Sequence, residues 1–552
     1  MIKDRLLDII ETSLECYSKE RIENYIKSVE ENGLTEHGFP RLGVNLGFLI
    51  INGRKEELKD YFYKIMDICC REIPKVKAAN EFSIREIALL IIMADKLSAI
   101  EKEKLLEWKK KLSSVSPFDL YKKVYTLGGR LNNWAVFAGL SEWMRVYLGM
   151  KGDREFVEKQ LETQKEWFDE NGFYLEPHNP MVYDVVTRHL FCQILAFDYN
   201  GEYKDFLDEK LKKAALASLK TLSVNNETPF GGRSNQFMYN EALYIPIFMH
   251  EADRYNKEKN YYLAGVFKRA SMLMIKRLEE NLAFYKGKHV KNFYDIDSKI
   301  GCETDAYFDK YMITTASYLQ LAFFYDIDSI EEKTLQESKA FIYKTSDNFN
   351  KVFLSNKNYS VQVELSADSN YDANGIGRIH KKGAPDSICI STPFAKEPNY
   401  KIEKPNETAF SICPIIEKNG ELILGAENSK IKLISSKVKG DCVLAKFSYK
   451  LQNKKSVLFS VSIDNDGVEI CAKSLFNKVG IAFPVFSFDG ERETVIENKE
   501  DKVIVKYFDY TLTYQGENLN YMGKDFCNRN GKSKGYYALS KNSAKLKISI
   551  EK

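Results

Sequence analysis

The chain has 552 residues, of which 44% are apolar, 29% charged and 13% aromatic, and its 81 basic and 78 acidic residues leave a formal charge of +3. That length accommodates two or three domains of globular composition, and so even a charge balance excludes the basic footprint of a nucleic-acid binder. No run approaches the ~18 consecutive apolar residues of a membrane helix. Lys3, Asp4, Arg5 and Asp8 interrupt the amino-terminal segment where a signal peptide needs an unbroken apolar stretch. The ten cysteines show no Cys-x-x-Cys spacing, which argues against structural zinc and against a disulfide framework. The expectation is a reduced, cytoplasmic setting with no membrane partner, no metal and no cofactor.

From Met1 to about Tyr343 the apolar residues recur at spacings of three and four, as at Leu211, Ala215, Leu219 and Leu222, or Trp134, Phe137 and Leu140. This pattern predicts roughly twelve to fourteen helices in hairpin pairs. Such an array buries a stripe on every helix either by closing into a ring or by stacking as an open solenoid. After about Asn348 the period becomes two. Residues 441–449 and 456–463 alternate, and Asn465-Asp466-Gly467 leads into a further alternating run at 468–472, a hairpin signal. Further strands are predicted at 502–507, 510–514 and 545–550. The division is therefore 1–343 helical and 349–552 antiparallel β, with a sandwich expected from its alternation and the boundary in the polar stretch 344–351.

Four polar clusters fall at predicted helix starts. The first surrounds Arg130, Asn132, Asn133 and Trp134, with either asparagine as the cap. The second is EPHNPMVYDVVTRHL, residues 176–190, which holds two of the six histidines, His178 and His189. There Asn179-Pro180 reads as cap and first helical residue, Tyr183 shares a face with Thr187, and Asp184 lies four residues before Arg188. The third, 228–242, contains Gly231-Gly232-Arg233, then Ser234 or Asn235 as cap, Gln236 and Glu241. The fourth, 301–318, places Glu303 just before a Thr304 cap, with Asp305 and Tyr307 in the first turn. Capping alone explains the Asn, Ser, Thr and Asp residues. It does not require His178, Tyr183, Arg233, Glu303 or Tyr307. In a closed ring the inner helices run parallel, so these starts converge on one cleft. Each amino end carries about half a positive charge, and with Arg130, Arg188 or Arg233 the cleft favours an anionic ligand.

Asn132-Asn133-Trp134, the Asn171-Gly172-Phe173-Tyr174 turn, Tyr183-Asp184 with His189, and Gly232-Arg233-Ser234 occur in that order. This series resembles a bacterial family of unknown function with Asn-Asn-Trp, Gly-Trp-Tyr, Asp-Tyr-Tyr, Phe-His and Gly-Arg-Ser elements. That family is similar in turn to the heparinase II/III-like polysaccharide lyases and the six-hairpin glycosidases. The resemblance is close from Arg130 to Tyr239 and architectural elsewhere. The family's second arginine, in Gly-Arg-Ser-Leu-x-Tyr-Arg, is missing here. The resemblance implies an α+β chain, an (α/α) toroid of helical hairpins followed by an antiparallel β-sandwich, acting on an anionic oligosaccharide.

A uronate lyase must neutralise a carboxylate, remove the C5 proton and protonate the leaving oxygen. Asn132, Asn133 and Arg233 are the expected neutralising groups, His178 or His189 the base, and Tyr183 the acid or both. A glycoside hydrolase instead needs two carboxyl groups, for which Asp184, Glu303, Asp305 and Glu241 are the candidates. A non-catalytic sugar-binding groove is the third reading, with Trp134 the one tryptophan beside a polar cluster. Asn179, Arg188, Asn235, Gln236 and Tyr307 are expected to bind substrate. His380, in NGIGRIHKKGAPDS (374–387), reads as part of a basic loop or of one leaning over the cleft. His37 and His289 read as surface or structural histidines, and His250-Glu251 lacks the second histidine of a zinc-protease motif.

Overall fold

A computed structural model describes residues 1–75, 80–121, 132–335, 340–452, 455–475 and 478–552. Its helices are α1 (Ile2–Leu14), α2 (Lys19–Asn32), α3 (Gly38–Ile50), α4 (Lys59–Glu72), α5 (Asn80–Leu97), α6 (Lys102–Ser113), α7 (Pro117–Leu120), α8 (Asn133–Tyr147), α9 (Arg154–Glu162), α10 (Met181–Ala196), α11 (Lys204–Ser218), α12 (Tyr239–Lys257), α13 (Tyr261–Phe284) and α14 (Phe308–Leu319). Six of them, α3, α5, α8, α10, α12 and α14, each pack on the next, and α14 packs back on α3. The ring is closed and the open solenoid is excluded.

Position in the ring explains the sequence of each inner helix. Every residue of α3 is buried, because a helix walled on all sides has no face left for water. The inner helices also bury charge, held in networks such as the one around Glu86. Glu86 accepts from Arg41 (3.0 Å), Arg85 (2.8 Å) and Ser317 (3.1 Å), and Arg85 also reaches Gln193 (3.2 Å). Outer helices such as α2 bury a single stripe, Ile22, Ile26 and Val29.

The C-terminal region is antiparallel β. Eight strands run in the order β12-β13-β14-β17-β10-β9-β8-β7, with β7 at Lys430–Lys439, β8 at Cys442–Lys450, β9 at Ser456–Ile463, β10 at Val468–Lys473, β12 at Val495–Asn498, β13 at Lys502–Tyr507, β14 at Tyr510–Gly516 and β17 at Ser543–Glu551. Facing them is a second layer of two sheets. One is β1-β2-β3-β4 (Ala340–Lys344, Lys351–Asn356, Tyr359–Glu364, Gly375–Lys381). The other is β15-β16-β11-β5-β6 (Leu519–Cys527, Lys532–Ser540, Val479–Phe488, Cys413–Lys418, Glu421–Leu424). A bridge between Ile376 and Ile412 joins the two. Alternation along β8 and β9 places Val443, Ala445, Phe447, Val457, Phe459 and Val461 in the core between layers. The 465–467 turn is held by the Asp464 carboxylate, which accepts from the amides of Asp466 and Gly467.

Two expectations need correction. The first strand, β1, begins at Ala340 and lies ahead of the polar stretch expected to open the β region. The segment around His380 is no loop: it is the buried strand β4. Its glycines disguised it, and Gly377 is there because a Cβ would stand 2.4 Å from the Phe230 ring.

Candidate active site

The amino ends of all six inner helices open on one cleft of about 420 Å³. α3 contributes Arg41 and its cap residue His37. α5 contributes Glu81 and Phe82, and α8 Asn133, Trp134 and Phe137. α10 contributes Tyr183 and Val186, and α12 Tyr239. α14 contributes Lys310, Tyr311, Thr314 and Tyr318, with Asp305 just before it. The sequence pointed to four of these six starts. It missed those of α3 and α5, where few residues of capping type stand out.

Tyr183 sits at the centre of the polar contacts. The Arg233 guanidinium lies 4.0 Å from its ring centroid, and the Ser234 side chain lies close enough to favour its ionised form. Arg233 also donates to Glu176 Oε2 (3.1 Å), while Glu176 Oε1 accepts the Asn133 backbone N–H (2.7 Å). Glu176 therefore does the capping work expected of an asparagine. Asn132 occupies the cap position with φ of 52° and makes no side-chain cap bond. Burial raises the Tyr183 pKa, opposed by the Arg233 cation and the nearby Ser234 side chain, so at neutral pH the phenol keeps its proton.

His37 belongs to the cleft, which corrects its reading as a bystander. Its ring packs 5.0 Å from Phe82. Burial, then Arg41, Lys310 and Arg85, push its pKa well below the ordinary imidazole value, so it is neutral with a lone pair available. Arg41 is held by Glu86 and donates to Thr314 Oγ1 (2.7 Å). Among the described residues the Lys310 ammonium has no ion-pair partner. Trp134 meets Phe82 edge-on at 6.1 Å and completes an aromatic wall.

Most of the other expected site residues are committed elsewhere. His178 is exposed, with Nδ1 3.4 Å from Asp368, and lies outside the cleft. Asn179 donates to the Asn348 carbonyl. His189 is buried beneath the cleft, its Nε2 3.1 Å from the Tyr318 carbonyl oxygen, and burial pushes its pKa down to about 3. Asp184 and Arg188 form a fully buried pair (2.6 Å), with Asp184 also accepting from the Tyr174 amide and Arg188 donating to Ser218. Neither can meet a ligand. Glu303 accepts from the Ser234 amide (2.6 Å) and from Arg529. Glu241 is buried against Lys291 (2.8 Å) and Thr228. Asn235 donates to the Gly232 carbonyl, and Gln236 accepts from Asn530. His380, with Ser391 and Asp386 beside it, is buried in the seam between the two regions and does not lean over the cleft. Tyr307 is exposed, with the Lys299 ammonium 3.9 Å over its ring. Arg130 lies outside the described residues. Of the expected set, Asn133, Trp134, Tyr183 and Asp305 line the cleft, and Arg233 reaches it through Tyr183.

No protein-family model matches the sequence, and no protein of curated function is recognisably similar to it. Among solved structures the chain is similar to a mutant of heparan sulfate lyase HepC from Pedobacter heparinus, at 10% identity over 93% of this chain and 76% of that one, with a TM-score of 0.52. It is likewise similar to a mutant chondroitin AC lyase from Streptomyces coelicolor A3, at 9% identity over 99% and 79% of the two chains, with a TM-score of 0.51. The likeness is one of fold. It covers the toroid and the sandwich together, as the architecture expected from the sequence requires. No helix among the described residues is long and apolar enough to cross a membrane.

Proposed function

We propose that the chain is a carbohydrate-active enzyme that cleaves a uronate-containing oligosaccharide by β-elimination in this cleft. The observation that carries the reading is the convergence of six helix amino ends with Arg41, Lys310 and Asn133 around a protonated tyrosine and a neutral histidine. Positive helix ends and the Lys310 ammonium, which has no ion-pair partner among the described residues, favour a bound carboxylate. With its charge offset by the Asn133 amide and Lys310, the adjacent C5–H becomes acidic. His37 holds the free lone pair and takes that proton. The C4–O bond breaks, a C4=C5 double bond forms, and the Tyr183 hydroxyl gives its proton to the leaving oxygen. Trp134 and Phe82 offer the apolar wall on which a sugar ring packs. The fold shared with two polysaccharide lyases supports this reading.

Lys310→Gln tests it. A charge-assisted contact to the carboxylate is worth about 1.5–3 kcal/mol, so KM for uronate oligosaccharides rises roughly tenfold or more. An unchanged KM contradicts the role. The second reading, hydrolysis, now rests on Glu81 and Asp305, the carboxyl groups lining the cleft. It requires a product that has gained water and loss of turnover in Glu81→Gln.

A further inference from the structure

The 231–234 turn places Arg233 over the Tyr183 ring and Ser234 beside it, and it is fixed from outside the ring. Its backbone is left-handed at both Gly232 (φ +74°), which glycine adopts freely, and Ser234 (φ +61°), where a side chain makes it costly, and such a conformation persists where the surroundings over-determine it. Two carboxylates do so here. Asp372, in the link between β3 and β4, accepts the Gly232 N–H at 2.6 Å. Glu303 accepts the Ser234 N–H at 2.6 Å, and Glu303 is itself gripped by Arg529, from the turn between β15 and β16, at 2.5 and 3.2 Å. The amides on either side of Arg233 are therefore both held by charges that the β region supplies or orients. Asp372 is 2% exposed and Arg529 1%.

We propose that Asp372 and Arg529 are positioning residues, through which the β-sandwich completes the cleft by clamping the 231–234 turn so that Arg233 and Ser234 meet Tyr183. Neither residue lines the cleft, and both act through the turn. The activity arm of the test rests on the elimination reading, whereas the clamp itself does not. Charge on Asp372 matters because a hydrogen bond to an ionised acceptor is roughly twice as strong as one to a neutral acceptor. The groups facing Asp372 are Lys351 from β2, which pairs with Glu364 of β3, together with Asp368, Tyr400 and Arg529. Burial, opposed by Lys351 and the Gly232 amide, brings Asp372 up to about 6, and burial brings Glu364 up to about 7. The clamp is thus strongest above the Asp372 value and weakens as pH falls through it.

The experiment is hydrogen exchange by mass spectrometry on peptides covering 229–238 in the full chain, for wild type, Asp372→Ala, Asp372→Asn and Arg529→Lys, beside kcat and KM on uronate oligosaccharides across pH. The expected result is faster exchange in that segment for Asp372→Ala and Arg529→Lys, and partial recovery in Asp372→Asn, which keeps a carbonyl acceptor. Wild-type protection in the segment, corrected for intrinsic rates, falls as pH drops through about 6. The accompanying loss in kcat is about 100-fold with KM little changed, as for a group displaced by about 1 Å. If the wild type cleaves nothing while the segment responds as described, the elimination reading fails and the clamp stands. Should Asp372→Ala not fold, Arg529→Lys carries the comparison. Unaltered exchange at 229–238 in every folded variant overturns the clamp, whatever the activity does.

Discussion

At the scale of single residues, environment decides which polar groups can act. Tyr183 and His189 are six positions apart on one helix, yet Tyr183 lines the cleft and His189 lies under it, shielded by Tyr318. Tyr183→Phe removes the hydroxyl with its transferable proton and is expected to lower turnover by about 10²–10⁴-fold with at most a small fall in melting temperature, since only the contacts of that hydroxyl are lost; kinetics beside a thermal melt check this. His178→Ala should leave turnover intact, because that side chain is exposed and outside the cleft, whereas His37→Ala should abolish it. His189 also makes a pH prediction. Its folded pKa of about 3 lies below the ordinary value of 6.5, so its neutral form contributes stability fully above pH 6.5, and that contribution is lost as pH falls toward 3. Wild type should therefore lose stability more steeply than His189→Gln between pH 6.5 and 4, by up to about 1.4 kcal/mol per pH unit. Parallel curves from denaturant titrations would refute it. The residue types of this site were legible in the sequence, but their assignment was not. Asp184 and Glu303 carry the right chemistry for catalysis and spend it on Arg188 and on the Ser234 amide, and only the packing reveals that expenditure.

At the scale of elements, periodicity read well and caps read unevenly. The strand expected at 456–463 is β9 itself, and α8 and α10 begin within a residue of where Asn133 and Pro180 place them. The starts of α12 and α14 fall later than Ser234 and Thr304 implied, at Tyr239 and Phe308. Ser234 is cap-like in chemistry, but it is held in a left-handed turn whose amide is taken by Glu303 and whose carbonyl accepts from the Tyr239 hydroxyl. A long-range carboxylate outcompetes the local cap, and sequence spacing carries no signal for that. The same turn gives a stability prediction. A Cβ at Gly232 would stand 2.6 Å from that of Pro180, at a φ unfavourable to any side chain. Gly232→Ala should therefore destabilise the fold by more than about 1 kcal/mol and reduce turnover. Chemical denaturation that shows neither effect would mean that the turn yields freely.

At the scale of the whole molecule, the ring converts scattered helix starts into one site, and the sandwich is joined to it through buried charge. Lys291 bridges Glu227 and Glu241, Arg277 bridges Glu227 and Asp386, and Arg378 donates to the Thr228 carbonyl from β4. Lys291→Met leaves Glu227 to Arg277 but strips the buried Glu241 of its ion-pair partner, so it should cost about 3–5 kcal/mol, readable in denaturant titration. The two-region plan was legible from the change of period near residue 348, whereas this network was not, since its members come from segments far apart in sequence. Elimination in the toroid cleft is tested most directly by incubating the protein with a panel of uronate oligosaccharides while following ultraviolet absorbance and product mass. The expected result is a new conjugated double bond with product masses summing to that of the substrate, absent in Tyr183→Phe. Products that have gained water, or no cleavage across the panel, would contradict it.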